Sequence, residues 1–363
     1  MFAPTFRLTS ALARSLMSVE ADRQALAELP VDVEMLRSLR ETARLAATHY
    51  STQIEGNRLT QAQVRQTLAG ARLPGRERDA AEVRNYYRAL EEAERLAQKE
   101  GPVTEEDVRR LHGLVMHGRP SPTPYRAEQN VIRDSLTGDI VYLPPEAKDV
   151  PGLMADLVAW INQELEQGEL PAPVVAALAH YQFATVHPYY DGNGRTARLL
   201  VTLVLHRSGY GMGGIYSLEE YYARDLSGYY GALSVGPSHN YYFGRAEADV
   251  TGFLEYFCFG MAEAFAAVRA QAARAARRGA RDQSPLLRGL DPRRRRLLAL
   301  FRGQGSATAG EMAAHLSLSR RTVVGLCRGW VAEGFLEVLD PSRKNRAYRL
   351  GPAYEALVAG AEG

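Results

Sequence analysis

Apolar positions recur every three or four residues over most of the chain, the spacing of amphipathic helices rather than strands. Leu36, Leu39, Ala43 and Leu45 follow it, and Thr60 with Gln63 forms a capping-box pattern that opens another helix. The turn at Leu73-Pro74-Gly75 closes this first block, residues 1–75. A second, also mostly helical block covers 76–270. In it, Thr104 before Glu105, Glu106 and Asp107 marks a helix start with acids matched to the dipole. Val150-Pro151 precedes a helix holding Leu153, Leu157 and Trp160. The pattern then predicts a helix from Pro173 to about Val186 and another from about Gly194 to His206, ended by Gly209, Gly211, Gly213 and Gly214. One stretch breaks the period. Val131-Ile132 and Ile140-Val141-Tyr142 predict two short strands around Thr137-Gly138-Asp139, closed by Pro144-Pro145.

Residues 271–290 are rich in Ala and Arg and read as a linker or solvated helix. Over 291–351 a helix with Leu297, Leu298, Leu300 and Phe301 comes first, then a short one with Met312, Ala313 and Leu316. After Ser317-Leu318, Ser319 caps a third helix carrying Val323, Val324, Cys327, Trp330 and Val331. Strands Phe335–Leu339 and Arg346–Leu350 follow around Asp340-Pro341-Ser342. Three helices and a basic hairpin are the layout of a winged helix-turn-helix, with 352–363 left as a tail. The expected fold class is mainly α, a helical core with a small β-hairpin plus this C-terminal domain. No internal repeat is visible.

Composition narrows the class. The 363 residues are 46% hydrophobic and 24% charged, ordinary for a globular protein. No run of roughly 18 apolar residues suggests a membrane span, and the N-terminus lacks the pattern of a secretory signal. Cys258 and Cys327 are far apart, without metal-ligand spacing, which suits a reducing cytoplasm. The net charge of +2 conceals an asymmetry. Residues 291–350 carry twelve basic side chains against five acidic, so a basic module faces an otherwise acidic chain.

The chemistry concentrates in His187-Pro188-Tyr189-Tyr190-Asp191-Gly192-Asn193-Gly194-Arg195-Thr196-Ala197-Arg198. Gly192 and Gly194 let backbone N–H groups approach an anion, and the following helix adds its positive end. Arg195 and Arg198, three apart, can face one ligand as charged donors. Asp191 is the hard oxygen ligand that a Mg²⁺ shared with phosphates would use. His187 can accept a proton near neutral pH. Together these groups describe phosphoryl or nucleotidyl transfer to a hydroxyl. The dinucleotide fingerprint Gly192-x-Gly194-x-x-Ala197 is set aside, because Ala176–Val186 reads as helix where that fingerprint needs a strand. His180, two helical turns before His187, has no third ligand spaced for zinc and reads as structural. The pairs Tyr221-Tyr222, Tyr229-Tyr230 and Tyr241-Tyr242 read mainly as core.

This stretch closely resembles the signature of Fic proteins, with Tyr189 where the family usually has Phe, so that an added hydroxyl needs a partner. The resemblance implies transfer of AMP from ATP, with Mg²⁺, onto a Ser, Thr or Tyr hydroxyl of a protein, itself included. It implies His187 as base, Asp191 as the Mg²⁺ ligand, and Gly192, Asn193, Gly194 and Arg195 as a phosphate cradle, with Arg198 orienting the γ-phosphate. It places a target-peptide flap at Ile140, Val141 and Tyr142, holding its peptide by strand addition. Ser51-Thr52-Gln53-Ile54-Glu55-Gly56 resembles the family's inhibitory motif, in which Ser51, Glu55 and Gly56 are the marked positions and Glu55 would pair with Arg198. It also favours a homodimer.

Two other activities fit the same residues. Glu55 could position water to remove AMP from a modified protein, or the core could serve as the nucleotide sensor of a transcription regulator. In the C-terminal module Arg320 and Arg321 open the third helix, with Arg343, Lys344 and Arg346 in the wing, as candidate DNA contacts.

Overall fold

The computed structural model describes residues 2–28, 33–133, 138–236, 238–276, 290–340 and 346–355, with Ser342 and Val358. The chain divides into two compact units, Met1–Ala27 with Leu39–Ala270, and Glu28–Ser38 with Gln271–Gly363. Of the first 75 residues, 1–27 and 39–75 fall in the first unit and 28–38 in the second.

The first unit runs through α1 (Ser10–Glu28), α2 (Val33–Ile54), α3 (Gln61–Leu68), α4 (Glu77–Ala97) and α5 (Glu105–His117). A hairpin follows, β1 (Ile132–Arg133) and β2 (Ile140–Tyr142), then α6 (Val150–Gln167), α7 (Ala172–Val186), α8 (Asn193–Arg207), α9 (Glu219–Arg224), α10 (Leu226–Leu233) and α11 (Thr251–Ala276). The predicted capping box at Thr60 and Gln63 opens α3, and Thr104 with Asp107 makes another at α5. Each satisfies N–H groups that the first turn cannot pair internally.

Every residue of α7 from Pro173 to Phe183 is buried, which identifies it as the central helix. It packs on α6 and α8, and α8 packs in turn on α4 and α5. Leu199, Leu200, Leu203 and Val204 of α8 are almost wholly inaccessible. Burial of such side chains contributes about 1.5–3 kcal/mol each and fixes the start of α8 against its neighbours. A smaller cluster, Leu45, Leu59, Val64, Ala80 and Val83, ties the turn after α2 to α3 and α4.

The second unit contains α12 (Pro292–Gly303), β3 (Ala307–Thr308), α13 (Ala309–Leu316), α14 (Arg320–Ala332), β4 (Leu336–Asp340), β5 (Ala347–Leu350) and α15 (Pro352–Glu355). Ser319 caps α14 by accepting from the Thr322 N–H at 3.1 Å. Its core gathers Leu297, Phe301, Met312, Val323, Cys327, Trp330 and Phe335. The sheet is antiparallel in the order β3-β5-β4. Two-residue β3 was not visible in the pattern, because an Ala-Thr pair carries no alternation. Of the expected linker, 271–276 belong to α11, and 277–289 lie outside the described residues.

Candidate active site

α7 ends where His187 takes the left-handed conformation, with φ of 50°, and Pro188 cannot continue the helix. For a residue with a side chain this costs on the order of 1–2 kcal/mol. Buried Arg126 holds the turn, its Nε donating to the His187 carbonyl at 3.0 Å and its backbone N–H to the Pro188 carbonyl at 2.9 Å. The same guanidinium donates to the Glu128 and Pro145 carbonyls, the chain on either side of the hairpin. His187 Nδ1 lies 3.3 Å from the Ala184 carbonyl. A carbonyl only accepts, so the ring proton sits on Nδ1 and Nε2 keeps its lone pair. Burial pushes the imidazole down to about 4, so it is neutral at pH 7.

The loop beyond is held from below. The Tyr189 ring stacks on His112, centroids 3.5 Å apart and planes 7° apart. His112 Nε2 donates to the Asp191 carbonyl at 2.9 Å, while Nδ1 meets the Thr123 hydroxyl at 2.6 Å. The buried Tyr189 hydroxyl, the departure from the usual Phe, meets no partner in hydrogen-bonding geometry among the described residues. Thr123 is its polar neighbour, whose single hydroxyl proton is shared between His112 Nδ1 and the Arg109 carbonyl. Asn193 is committed to the loop itself, accepting from the Tyr189 N–H at 3.0 Å and donating to the Tyr189 carbonyl at 2.8 Å. What it can offer a phosphate is its backbone N–H. Gly192 sits at φ 75°, and a Cβ there would meet Met116 Sδ and the His112 ring, so glycine alone fits.

α8 therefore opens with no side-chain cap. Its first-turn N–H groups and positive dipole end follow directly on the loop that begins at His187, an arrangement suited to an anion. Arg195 is buried and shared, donating to Glu82 through Nη1 and to Asp191 Oδ1 at 3.0 Å through Nη2. The Asp191 carboxylate itself stays largely exposed, 59% accessible.

Arg198 is the most deeply buried charge in the site. Its Nε donates to Ser51 Oγ at 2.8 Å, and its Nη2 to the Ser51 carbonyl and to Glu55 Oε1, both at 2.9 Å. Burial alone would lower the guanidinium pKa, but Tyr229, Glu55 and Tyr86 around it raise it. A Cβ on Gly194 would collide with Glu55 Oε1. The glutamate thus lies directly against the first turn of α8, an anion supplied by the chain. Gly56, at φ 93°, lets the backbone turn immediately after it.

In the hairpin, Ile140 and Val141 are exposed while Tyr142 is buried and donates to the Thr185 carbonyl at 2.7 Å. Tyr142 therefore anchors the hairpin to α7, and the outward positions are its two neighbours. His180 is fully buried, 2.9 Å from the Tyr229 hydroxyl. Tyr222, Tyr229 and Tyr241 are core, whereas Tyr230 and Tyr242 are exposed. Arg320, Arg321 and Arg346 are exposed in the second unit; Arg343 and Lys344 lie outside the described residues. Sequence reasoning missed Glu82, Asn57, His112 and Arg126, whose roles depend on partners far along the chain.

Residues 102–205 match the Fic/DOC family model. The chain carries a Fic domain. Its relatives include the protein adenylyltransferase fic-1 of Caenorhabditis briggsae, 34% identical over 213 residues, covering 57% of this chain and 41% of that protein. Another is the protein adenylyltransferase Fic of Drosophila willistoni, 32% identical over 199 residues, covering 54% and 39%. The chain thus spans about two-fifths of the length of these curated relatives. A crystal structure of a Fic family protein from Desulfovibrio desulfuricans superposes over 97% of this chain and 99% of its own, with TM-score 0.61 and 25% identity. A fragment of Fic-1 of Caenorhabditis elegans gives a TM-score of 0.56 and 25% identity over 74% of each chain. The mainly helical Fic fold follows from these likenesses.

Proposed function

We propose that this protein is an adenylyltransferase that moves AMP from ATP to a hydroxyl side chain of a protein, and that Glu55 holds it off. The observation that carries this reading is the Glu55 carboxylate lying on the open N-terminus of α8 while bonded to Arg198. An anion-binding helix end beside a neutral imidazole is what transfer of a phosphoryl group to a hydroxyl requires. The target oxygen bonds to the α-phosphorus, the bond from that phosphorus to the bridging oxygen of the β-phosphate breaks, and pyrophosphate leaves. His187 Nε2 takes the hydroxyl proton. The N–H groups of Asn193, Gly194 and Arg195 bind phosphate oxygens, and Arg198 meets the γ-phosphate once Glu55 withdraws.

Among the described residues no group of three His, Cys, Asp or Glu could hold a metal. One exposed carboxylate, Asp191, suits a Mg²⁺ that takes its other ligands from water and substrate phosphates. Such an ion would neutralise charge on the phosphates. The exposed Ile140 and Val141 support strand addition by a target peptide.

The order of three helices and a three-stranded sheet supports reading the second unit as a winged helix, with Arg320 and Arg321 at the start of α14 positioned for DNA. No described helix is long and apolar enough to cross a membrane. Both cysteines are free and buried, in keeping with a cytoplasmic setting. The homodimer belongs to the same proposal and is tested by sedimentation.

ATP labelled at the α- or the γ-phosphate tests the reaction class. In the Glu55→Gly variant, protein-bound label from the α position alone supports AMP transfer; label from the γ position, or none with any substrate, contradicts it.

A further inference from the structure

Glu82 on α4 joins two parts of the site that the sequence keeps apart. Its Oε1 accepts from Arg195 Nη1, and its Oε2 accepts from Asn57 Nδ2 at 2.8 Å. Asn57 follows Glu55 by two residues, is buried, and is fully engaged. Its Nδ2 also donates to the Asp79 carbonyl at 3.0 Å, its Oδ1 accepts from the Leu59 N–H at 3.1 Å, and its own N–H donates to the Thr52 carbonyl at 3.1 Å. On the other side, Arg195 reaches Asp191 at 3.0 Å. One carboxylate therefore links the turn that carries Glu55 to the guanidinium that holds Asp191. The apolar cluster of Leu45, Leu59, Val64, Ala80 and Val83 packs that turn against α4 and keeps the geometry fixed.

Both bonds need an acceptor from Glu82, and only a carboxylate has an acceptor oxygen for each. A glutamine amide has one acceptor oxygen and no charge: turned to Arg195 it weakens that charge-assisted bond and presents its NH2 to the Asn57 donor, so both links suffer. We propose that Glu82 is a positioning residue that couples the seating of the Glu55 segment to the setting of Arg195 and Asp191. This rests on the reading of the site as an AMP transferase restrained by Glu55. The coupling gives Glu82 two effects of opposite sign. Loss of the Asn57 bond frees Glu55 and raises transfer, whereas loss of the Arg195 bond disorders the phosphate end and lowers it. With Glu55 in place the first effect dominates, and with Glu55 removed only the second is left.

The test compares the parent, Glu82→Gln, Glu55→Gly and the double variant for AMP transfer, with ATP affinity by calorimetry and amide hydrogen exchange over residues 52–60. Glu82→Gln is expected to raise transfer about tenfold in the parent and lower it about tenfold in the Glu55→Gly background, the scale of one charge-assisted hydrogen bond. Exchange over 52–60 quickens in both. A fall in both backgrounds makes Glu82 merely structural and overturns the coupling. A rise in the parent with no change in Glu55→Gly confines Glu82 to the inhibitory turn and overturns it as well. If Glu55→Gly itself transfers no AMP, the transferase reading fails separately. The coupling is then decided by exchange and by weaker ATP binding in the double variant, and unchanged values reject it. Asn57→Ala guards against misfolding of Glu82→Gln: it raises transfer in the parent and leaves Glu55→Gly unaffected, and no rise rejects the proposal.

Discussion

Glu55 Oε1 and Arg198 Nη2 lie 2.9 Å apart although 143 residues separate them in the chain. Arg198 is 1% accessible and Glu55 24% accessible, so solvent screens this pair far less than one on the surface. Ser51, one turn before Glu55, binds the same guanidinium twice. The end of α2 thus holds Arg198 through a hydroxyl, a backbone carbonyl and a carboxylate together.

Ser51→Ala removes the acceptor for Arg198 Nε while leaving the backbone acceptor and Glu55 in place. AMP transfer is expected to rise by less than for Glu55→Gly, up to about tenfold. Steady-state rates of the two variants side by side check the order.

Burial holds His187 near 4, below the ordinary histidine value of 6.5. As the base proposed above it acts only when unprotonated, so kcat/KM is expected to fall on the acid side near pH 4 rather than near 6.5. His112, near 4, and His180, near 3, are depressed for the same reason. Their folded-state values lie below the unfolded one, so their contribution to stability is complete above pH 6.5. It is lost progressively as pH falls towards 3–4. Urea unfolding between pH 7 and 4 measures that loss.

Tyr189→Phe deletes a buried hydroxyl that has no hydrogen-bond partner among the described residues while keeping the ring on His112. The variant is expected to be as stable as the parent or more so, by up to about 1 kcal/mol. A lower Tm would mean that the hydroxyl is bonded after all.

Arg320→Glu with Arg321→Glu reverses two exposed charges at the start of α14. Binding to a mixed DNA pool at low salt should weaken, and the slope of log affinity against log salt should shallow by about two. Full-chain titrations at several salt concentrations read both.

Much of the site was legible because its parts are contiguous. His187 to Arg198 form one helix end, one glycine turn and one helix start, and each element has a local sequence cause. The capping boxes at Thr60 and Thr104 were equally local. Glu82 was not legible: it sits on the amphipathic helix α4 like any solvated glutamate, and its partners lie 25 and 113 residues away. Arg126 is similarly silent, since its partners are mostly backbone carbonyls that any sequence provides. The Asn193 side chain serves the loop backbone, a bond to a neighbour four residues away that the signature does not spell out, and leaves its own N–H for the proposed phosphate.

Intact mass after incubation with ATP and Mg²⁺, for the parent, Glu55→Gly and the Glu55→Gly, His187→Ala double variant, tests the central claim most directly. The account predicts an AMP adduct on Glu55→Gly and none on the other two. An adduct of equal extent on the parent would contradict restraint by Glu55, and one that survives in the double variant would exclude His187 as the base.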